Sequence, residues 1–234
     1  MNYISIKHKF FCSKYSDIFE HLPTLCNYAK ECESILLLSG DGNHAYWSMV
    51  HGLLHPSTFK TPPKGAVMSE QGDADCAFKM HNGVNNQQNN KKLILNAKYP
   101  YNVDELMNVT RHLKIDIQTI WKNSLDIDVS ENIDMTFIDS WHIYGQMKRE
   151  LDKFSPITNK YIIMHDTTVD EWEGETVRCG LNAEQQSRES GIPVDEIKKG
   201  VWFAIDEFLQ SHPEWVLHER FTNNHGLTIL KRIL

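Results

Sequence analysis

No apolar run in this sequence approaches the ~18 residues needed to cross a bilayer; the densest stretches, Ile35–Leu38 and Ile162–Met164, are short. A helical membrane span is therefore not expected, and no membrane partner with it. The opening MNYISIKHKFF also lacks the continuous apolar core and small-residue cleavage site of a secretory signal, so a cytoplasmic location is the expectation. Basic residues are in deficit, 24 Lys and Arg against 31 Asp and Glu for a net charge of −7, and they do not cluster. That excludes a phosphate-tracking nucleic-acid binder. Cys12, Cys26, Cys32, Cys76 and Cys179 include no C-x-x-C pair and are odd in number, which disfavours structural zinc and a disulfide framework alike. They read as buried or idle thiols in a reducing compartment.

What remains is a globular composition, 41% hydrophobic and 24% charged over 234 residues. That length suits one domain spanning 1–234, with decorations. Tyr15, Ile18, Phe19, Leu22 and Leu25 recur at helical spacing and predict an opening helix that ends near Tyr28. Ser34–Ser39 (SILLLS) predicts a strand buried on both faces, followed by a glycine turn, Gly40-Asp41-Gly42-Asn43. Tyr46, Met49, Val50, Leu53 and Leu54 then mark a helix, with Asn43 as its N-cap. From His55 to Asn90 periodicity fails amid Pro56, Pro62, Pro63 and the tract NNQQNN, which suits a flexible insertion.

Order resumes with a strand at Lys92–Asn96 and a helix behind the capping-box spacing of Asn102 and Glu105. Strands follow at Ile115–Trp121, Asp134–Ile138 and Tyr161–Met164. Helices carry Tyr144, Met147, Leu151 and Phe154, and later Val201, Ile205, Phe208 and Leu209. Thr167–Pro193 is a long acidic connection. Trp215–Phe221 and Leu227–Leu230, separated by TNNHG, form an antiparallel hairpin. Strand–helix alternation with such a closure predicts an α/β, doubly wound, mostly parallel sheet with one reversed strand. Ligands of such sheets bind beyond the carboxyl ends of the strands.

Two strand ends carry the chemistry. Asp139-Ser140-Trp141-His142 follows one buried strand and His165-Asp166-Thr167 the next. Neighbouring strands lie ~4.8 Å apart, so Asp139, His165 and Asp166 could converge on a hard divalent cation, Mg²⁺ or Mn²⁺. Equally, Asp139 and Asp166 could cap the turns that follow. Asp170–Glu175 (DEWEGE) reads as a solvated loop, with the alternative that it lines the pocket mouth or adds a ligand, and the turn Asn223–Gly226 reads as structural.

The stretches DMTFIDSWHIYGQMKREL, KYIIMHDTT and EWVLHERFTNNHGLTILKR resemble the class I S-adenosylmethionine-dependent methyltransferase-like proteins, including forms found beside glycan-biosynthesis genes. The match runs from about Leu93 onward and is weaker over Tyr15–Leu54. The resemblance implies a Rossmann-like, seven-stranded sheet whose last strand is antiparallel, and S-adenosylmethionine as cofactor. It also implies an analogy to catechol-type O-methyltransferases. In that analogy Asp139 and Asp166 hold Mg²⁺, Thr167 replaces an asparagine, and His142 stands where a lysine takes the acceptor's proton. His142 could equally be a packing residue that opens the next helix. For the cofactor the resemblance points to Ser39, Gly40, Gly42 and Asn96. Several expected contacts are altered: Leu37 replaces an acid, Ser39 a glycine, Asn96 and Ala97 the ribose-binding acid, and Ala45-Tyr46 a Ser-Thr pair.

The expectation is a metal-assisted O-methyltransferase acting on a small hydroxylated acceptor such as a sugar or glycan. The alternative is a degenerate relative that has lost the cofactor and binds a metal or glycan.

Overall fold

The computed structural model describes residues 2–39, 44–55 and 91–234. Seven strands form one sheet: β1 (Ser34–Ser39), β2 (Lys91–Ala97), β3 (Ile115–Trp121), β4 (Ile133–Asp139), β5 (Thr158–His165), β6 (Trp215–Phe221) and β7 (Leu227–Arg232). Their order is β3-β2-β1-β4-β5-β7-β6. All pairings are parallel except those of β7, which runs antiparallel to both β5 and β6. This is the doubly wound, seven-stranded arrangement with one reversed strand that the alternation and the resemblance both imply.

Alternation along buried strands supplies two cores. In β1, Ile35 and Leu37 face one layer while Leu36 and Leu38 face the other, and all four are fully buried. The first layer holds α1 (Tyr3–Ser13), α2 (Leu22–Ala29), α3 (Ala45–Leu54) and α4 (Asp104–Thr110). The second holds α5 (Tyr144–Phe154) and, further on, α9 (Val201–Ser211). Between them α6 (Glu175–Arg178), α7 (Ala183–Ser190) and α8 (Val194–Lys198) break up the acidic connection. Trp215 is buried, as its place in the strand requires, and the Arg220 guanidinium stacks 3.7 Å over Trp202.

Three local expectations are corrected. The opening segment is two helices and a 3₁₀ turn, because α1 lies N-terminal to the predicted helix and Tyr15 is exposed beyond its end. α3 is capped by His44 without a side-chain bond; Asn43 lies outside the described residues. Asn102 bonds the Asp104 amide at 2.8 Å instead of capping with Glu105, which pairs with Lys7 across α1. The expected insertion, apart from His55, also lies outside the described residues.

The helices α2 and α3 approach closely at Gly52, where an added Cβ would lie 2.4 Å from the Cys26 carbonyl oxygen and 2.6 Å from Ala29 Cβ. Backbone cannot yield as a flexible side chain would. Gly52→Val should therefore destabilise the chain by about 1–3 kcal/mol. At roughly 2–4 °C per kcal/mol, thermal denaturation should show a loss of several degrees. An unchanged midpoint would mean that the two helices do not pack in this way.

Candidate functional site

The β4–β5 pairing puts Ile138 beside Met164, so Asp139 and His165 leave the sheet side by side. Asp166 follows with φ 57°, a left-handed conformation that turns its carboxylate back across the strand ends. Asp139 Oδ1 and Asp166 Oδ1 then lie 3.2 and 3.3 Å from His165 Nδ1. His142 completes the group, with Nε2 3.2 Å from Asp139 Oδ1 and Nδ1 3.0 Å from Asp166 Oδ2. All four side chains are no more than 10% exposed. The structure thus brings together the four residues singled out at these strand ends.

His165 meets an acceptor at both nitrogens, whereas His142 does so only at Nε2, its Nδ1 lying 3.0 Å from Asp166 Oδ2 without hydrogen-bond alignment. The Nε2 of His165 faces the backbone carbonyls of Asp17 and Asn224, at 3.1 and 3.3 Å. Burial alone would lower both histidine pKa values. For His142 the hydrogen bond to Asp139 and the charges of Asp166, Asp139 and Glu175 outweigh it, giving about 9. For His165 the neighbouring Asp139 and Asp166 do the same, again to about 9. Burial would raise Asp139, but His165 and His142 hold it well below the usual carboxylate range. Asp166 is raised, because its burial is only partly offset by the two imidazoles.

The outer members of this cluster come from the acidic stretch that the sequence offered as a ligand source only second to a solvated loop, and from the hairpin turn. Asp170 is fully buried, 3.6 Å from His142 Nδ1, and is gripped bidentately by Arg178 at 2.6 and 2.9 Å. DEWEGE is therefore not simply a solvated loop. An arginine eight residues further on neutralises its first acid and allows burial. Glu175 Oε2 is 3.7 Å from His142 Nδ1, and His225, in the hairpin turn, reaches Asp166 at 3.2 Å. That turn does have a structural role, with Asn224, His225 and Gly226 all at positive φ. Thr167 is turned away, its hydroxyl accepting from Thr228 at 2.8 Å.

A cleft of about 480 Å³ opens at the carboxyl ends of β1 to β4. Its walls include Ser39, Lys98, Asn123, Asp126, Ser140 and Trp141. Its floor is organised by Glu150 on α5, fully buried, which accepts from Ser124, Ser140 and Gln146. Burial raises the Glu150 pKa, with those three donors opposing it. Glu150 gave no sequence signal, because it sits on the inward stripe of a helix. Ser140 and Trp141 line the cleft while their neighbours Asp139 and His142 belong to the charged cluster, so one short loop forms the partition. Asn96 is placed differently from the sequence expectation: it is 1% exposed, and its amide nitrogen donates to the Ile120 and Lys122 carbonyls, both at 2.9 Å. Gly40 and Gly42 lie outside the described residues.

The histidine shifts give a pH signature for metal-free protein. A raised pKa contributes stability that is complete below about 6.5 and is lost as pH climbs to about 9. His8, His21, His44 and His51 are lowered, chiefly by burial, so their contributions change only below pH ~6.5. The melting midpoint should therefore fall between pH 6.5 and 9, by a stability loss on the order of 3 kcal/mol. His165→Gln should flatten that slope. A wild-type midpoint that is level across the window would show that the imidazoles are not charged.

No family model matches the chain, and no curated protein does. Solved structures do resemble it. Cofactor-bound Rv0187 from MTB is 9% identical, with a TM-score of 0.51 over 98% of this chain and 87% of that one. N-methyltransferase NodS from Bradyrhizobium japonicum, in complex with S-adenosyl-L-homocysteine, is 11% identical, with a TM-score of 0.49 over 98% and 96%. An O-methyltransferase from Bacillus cereus, also with S-adenosyl-L-homocysteine, is 8% identical, with a TM-score of 0.49 over 98% and 90%. Strand order β3-β2-β1-β4-β5-β7-β6, a reversed β7 and helices on both faces give this chain the class I methyltransferase fold.

Proposed function

We propose that this chain is an S-adenosylmethionine-dependent O-methyltransferase that uses a divalent cation and acts on a small hydroxylated acceptor such as a sugar. The observation that carries the reading is the loop Asp139–His142, which is at once the wall of a nucleoside-sized cleft and part of a buried set of cation ligands.

His165 Nδ1 lies 3.2 and 3.3 Å from the Asp139 and Asp166 oxygens, close to the ~3.0 Å edge of an octahedron with ~2.1 Å bonds, and the three ligand atoms all lie within 4.8 Å of one another. His165 is poised as a ligand, since its Nε2 faces carbonyls that would fix the ring while Nδ1 faces the site. A nitrogen in the set suits Mn²⁺ better than Mg²⁺. Ser39, Asn123, Asp126, Ser140 and Trp141, which line the cleft, would hold the cofactor. When bound, the cofactor supplies an electrophilic methyl group and the cation acidifies an acceptor hydroxyl. His142 has the place to receive that proton, with Asp139 and Asp166 orienting its two nitrogens. It can do so only when neutral, so a cation that relieves the carboxylates of their imidazolium partners is a requirement of this reading.

A second reading has its own support. Asn96 is committed to backbone, and Ala97 follows it, so no carboxylate at the end of β2 meets the ribose hydroxyls. His142 between Asp139 and Asp166 can itself serve as the resident cation. A relative that had lost the cofactor would look like this.

Calorimetric titration with S-adenosylmethionine and S-adenosylhomocysteine separates the two. The enzyme reading expects a binding heat for wild type and at least tenfold weaker binding for Trp141→Ala. No heat at millimolar ligand would leave the degenerate reading standing. For the cation, Mn²⁺ should raise the melting midpoint of wild type but not of Asp139→Asn. His142→Ala should keep the Mn²⁺ response while turnover on an accepted hydroxyl compound drops by ~10²–10⁴. Unfolding of His142→Ala together with an unchanged Mn²⁺ response in Asp139→Asn would make both residues structural.

A further inference from the structure

A second cluster lies on the opposite side of the first layer, where α1, α2 and α3 meet. His8 and Cys12 stand one helical turn apart on α1, Cys26 is on α2 and His51 on α3. Cys26 Sγ is 3.3 Å from His51 Nδ1, and Cys12 Sγ is 3.6 and 3.7 Å from the two nitrogens of His8. Single ligand atoms of His8, Cys26 and His51 all lie within 4.8 Å of one another. The sequence reading set these cysteines aside because they share no C-x-x-C spacing. The fold supplies the convergence instead, from three separate helices.

We propose that His8, Cys26 and His51, whose ligand atoms already converge, hold a Zn²⁺ ion, and that Cys12, one turn from His8 on α1, turns in as the fourth ligand, so that the tetrahedral site clasps α1 onto α2 and α3. Two thiolates and two imidazoles are the ligand chemistry zinc prefers. Bonds of about 2.0–2.3 Å give a tetrahedron with edges of ~3.3–3.8 Å, and the measured Cys–His separations fall in that range. Each imidazole is also held at its other nitrogen by a hydroxyl. Ser48 Oγ is 2.9 Å from His8 Nδ1, leaving Nε2 for the ion, and Ser5 Oγ is 3.0 Å from His51 Nε2, leaving Nδ1. Outer partners of this kind fix the ring orientation of metal-bound histidines. Burial, with help from neighbouring lysines, lowers the pKa of both His8 and His51, so both rings are neutral and ready to ligate near pH 7. Burial raises both thiols, Cys12 to about 11, so ion binding must release protons. The cluster is independent of the strand-end site and of any reading of its function.

Cobalt substitution of the full chain tests this. Wild-type protein should take up Co²⁺ with a thiolate-to-cobalt charge-transfer band, and one equivalent of Zn²⁺ should bleach it. Cys12→Ser and Cys26→Ser should each weaken uptake about 100-fold. Ser5→Ala and Ser48→Ala should weaken it about tenfold while keeping the band. Asp139→Asn should leave the band as in wild type, which separates this site from the strand-end cluster. Should buried Cys26→Ser fail to fold, the partly exposed Cys12 and His51 positions, as Cys12→Ser and His51→Gln, carry the test. Absence of the band in wild type overturns the proposal. So does a band that survives the Cys12 and Cys26 substitutions, because it would come from Cys32, Cys76 or Cys179.

Discussion

The ionisation of Asp139 is the constraint on which the strand-end geometry depends. A carboxylate this deeply placed would ordinarily take up a proton, and it stays charged because two imidazoles converge on the same oxygen. Those imidazoles are charged in turn because Asp139 itself and, behind it, Asp166 face them. Removing any one member leaves an uncompensated buried charge, which is far more costly than the intact group is stabilising. Arg178 closes the periphery by neutralising Asp170.

This charge balance explains why the loops after β4 and β5 take the forms they do. The parallel register brings Asp139 and His165 level, and a left-handed residue then returns Asp166 to the same point. The hairpin turn packs against the next residues, with the Thr168 and Val169 amides donating to the His225 carbonyl at 2.9 and 3.1 Å. Reversal of β7 is thus more than a feature of topology. It carries His225 and the Asn224 carbonyl to the cluster from a segment some sixty residues further along the chain.

The centre of the sheet was legible in the sequence because its strands are buried on both faces, and SILLLS or YIIM can satisfy that environment in few other ways. The site was legible as far as strand ends identify it: Asp139, His142, His165 and Asp166 are neighbours by register. Asp170 was only partly legible within its acidic stretch, because its burial depends on Arg178, a pairing that no local pattern marks. Glu150 was hidden because a carboxylate on an inward helical stripe looks like an error of amphipathicity until its three donors are known. The thiol–imidazole cluster was hidden for a related reason. Metal-ligand spacings are recognisable in sequence when they lie in one hairpin or one loop, and three packed helices leave no such trace.

The φ of 57° at Asp166 sets a conflict between endurance and chemistry. Glycine would occupy that backbone conformation without steric cost, and asparagine would tolerate it. Glycine there would relieve the backbone but strand the two imidazoles without their second carboxylate. The same step would erase the carboxylate that completes the strand-end cluster. Aspartate reconciles the two demands, since its short side chain tolerates the left-handed backbone while supplying the charge that glycine and asparagine would lack.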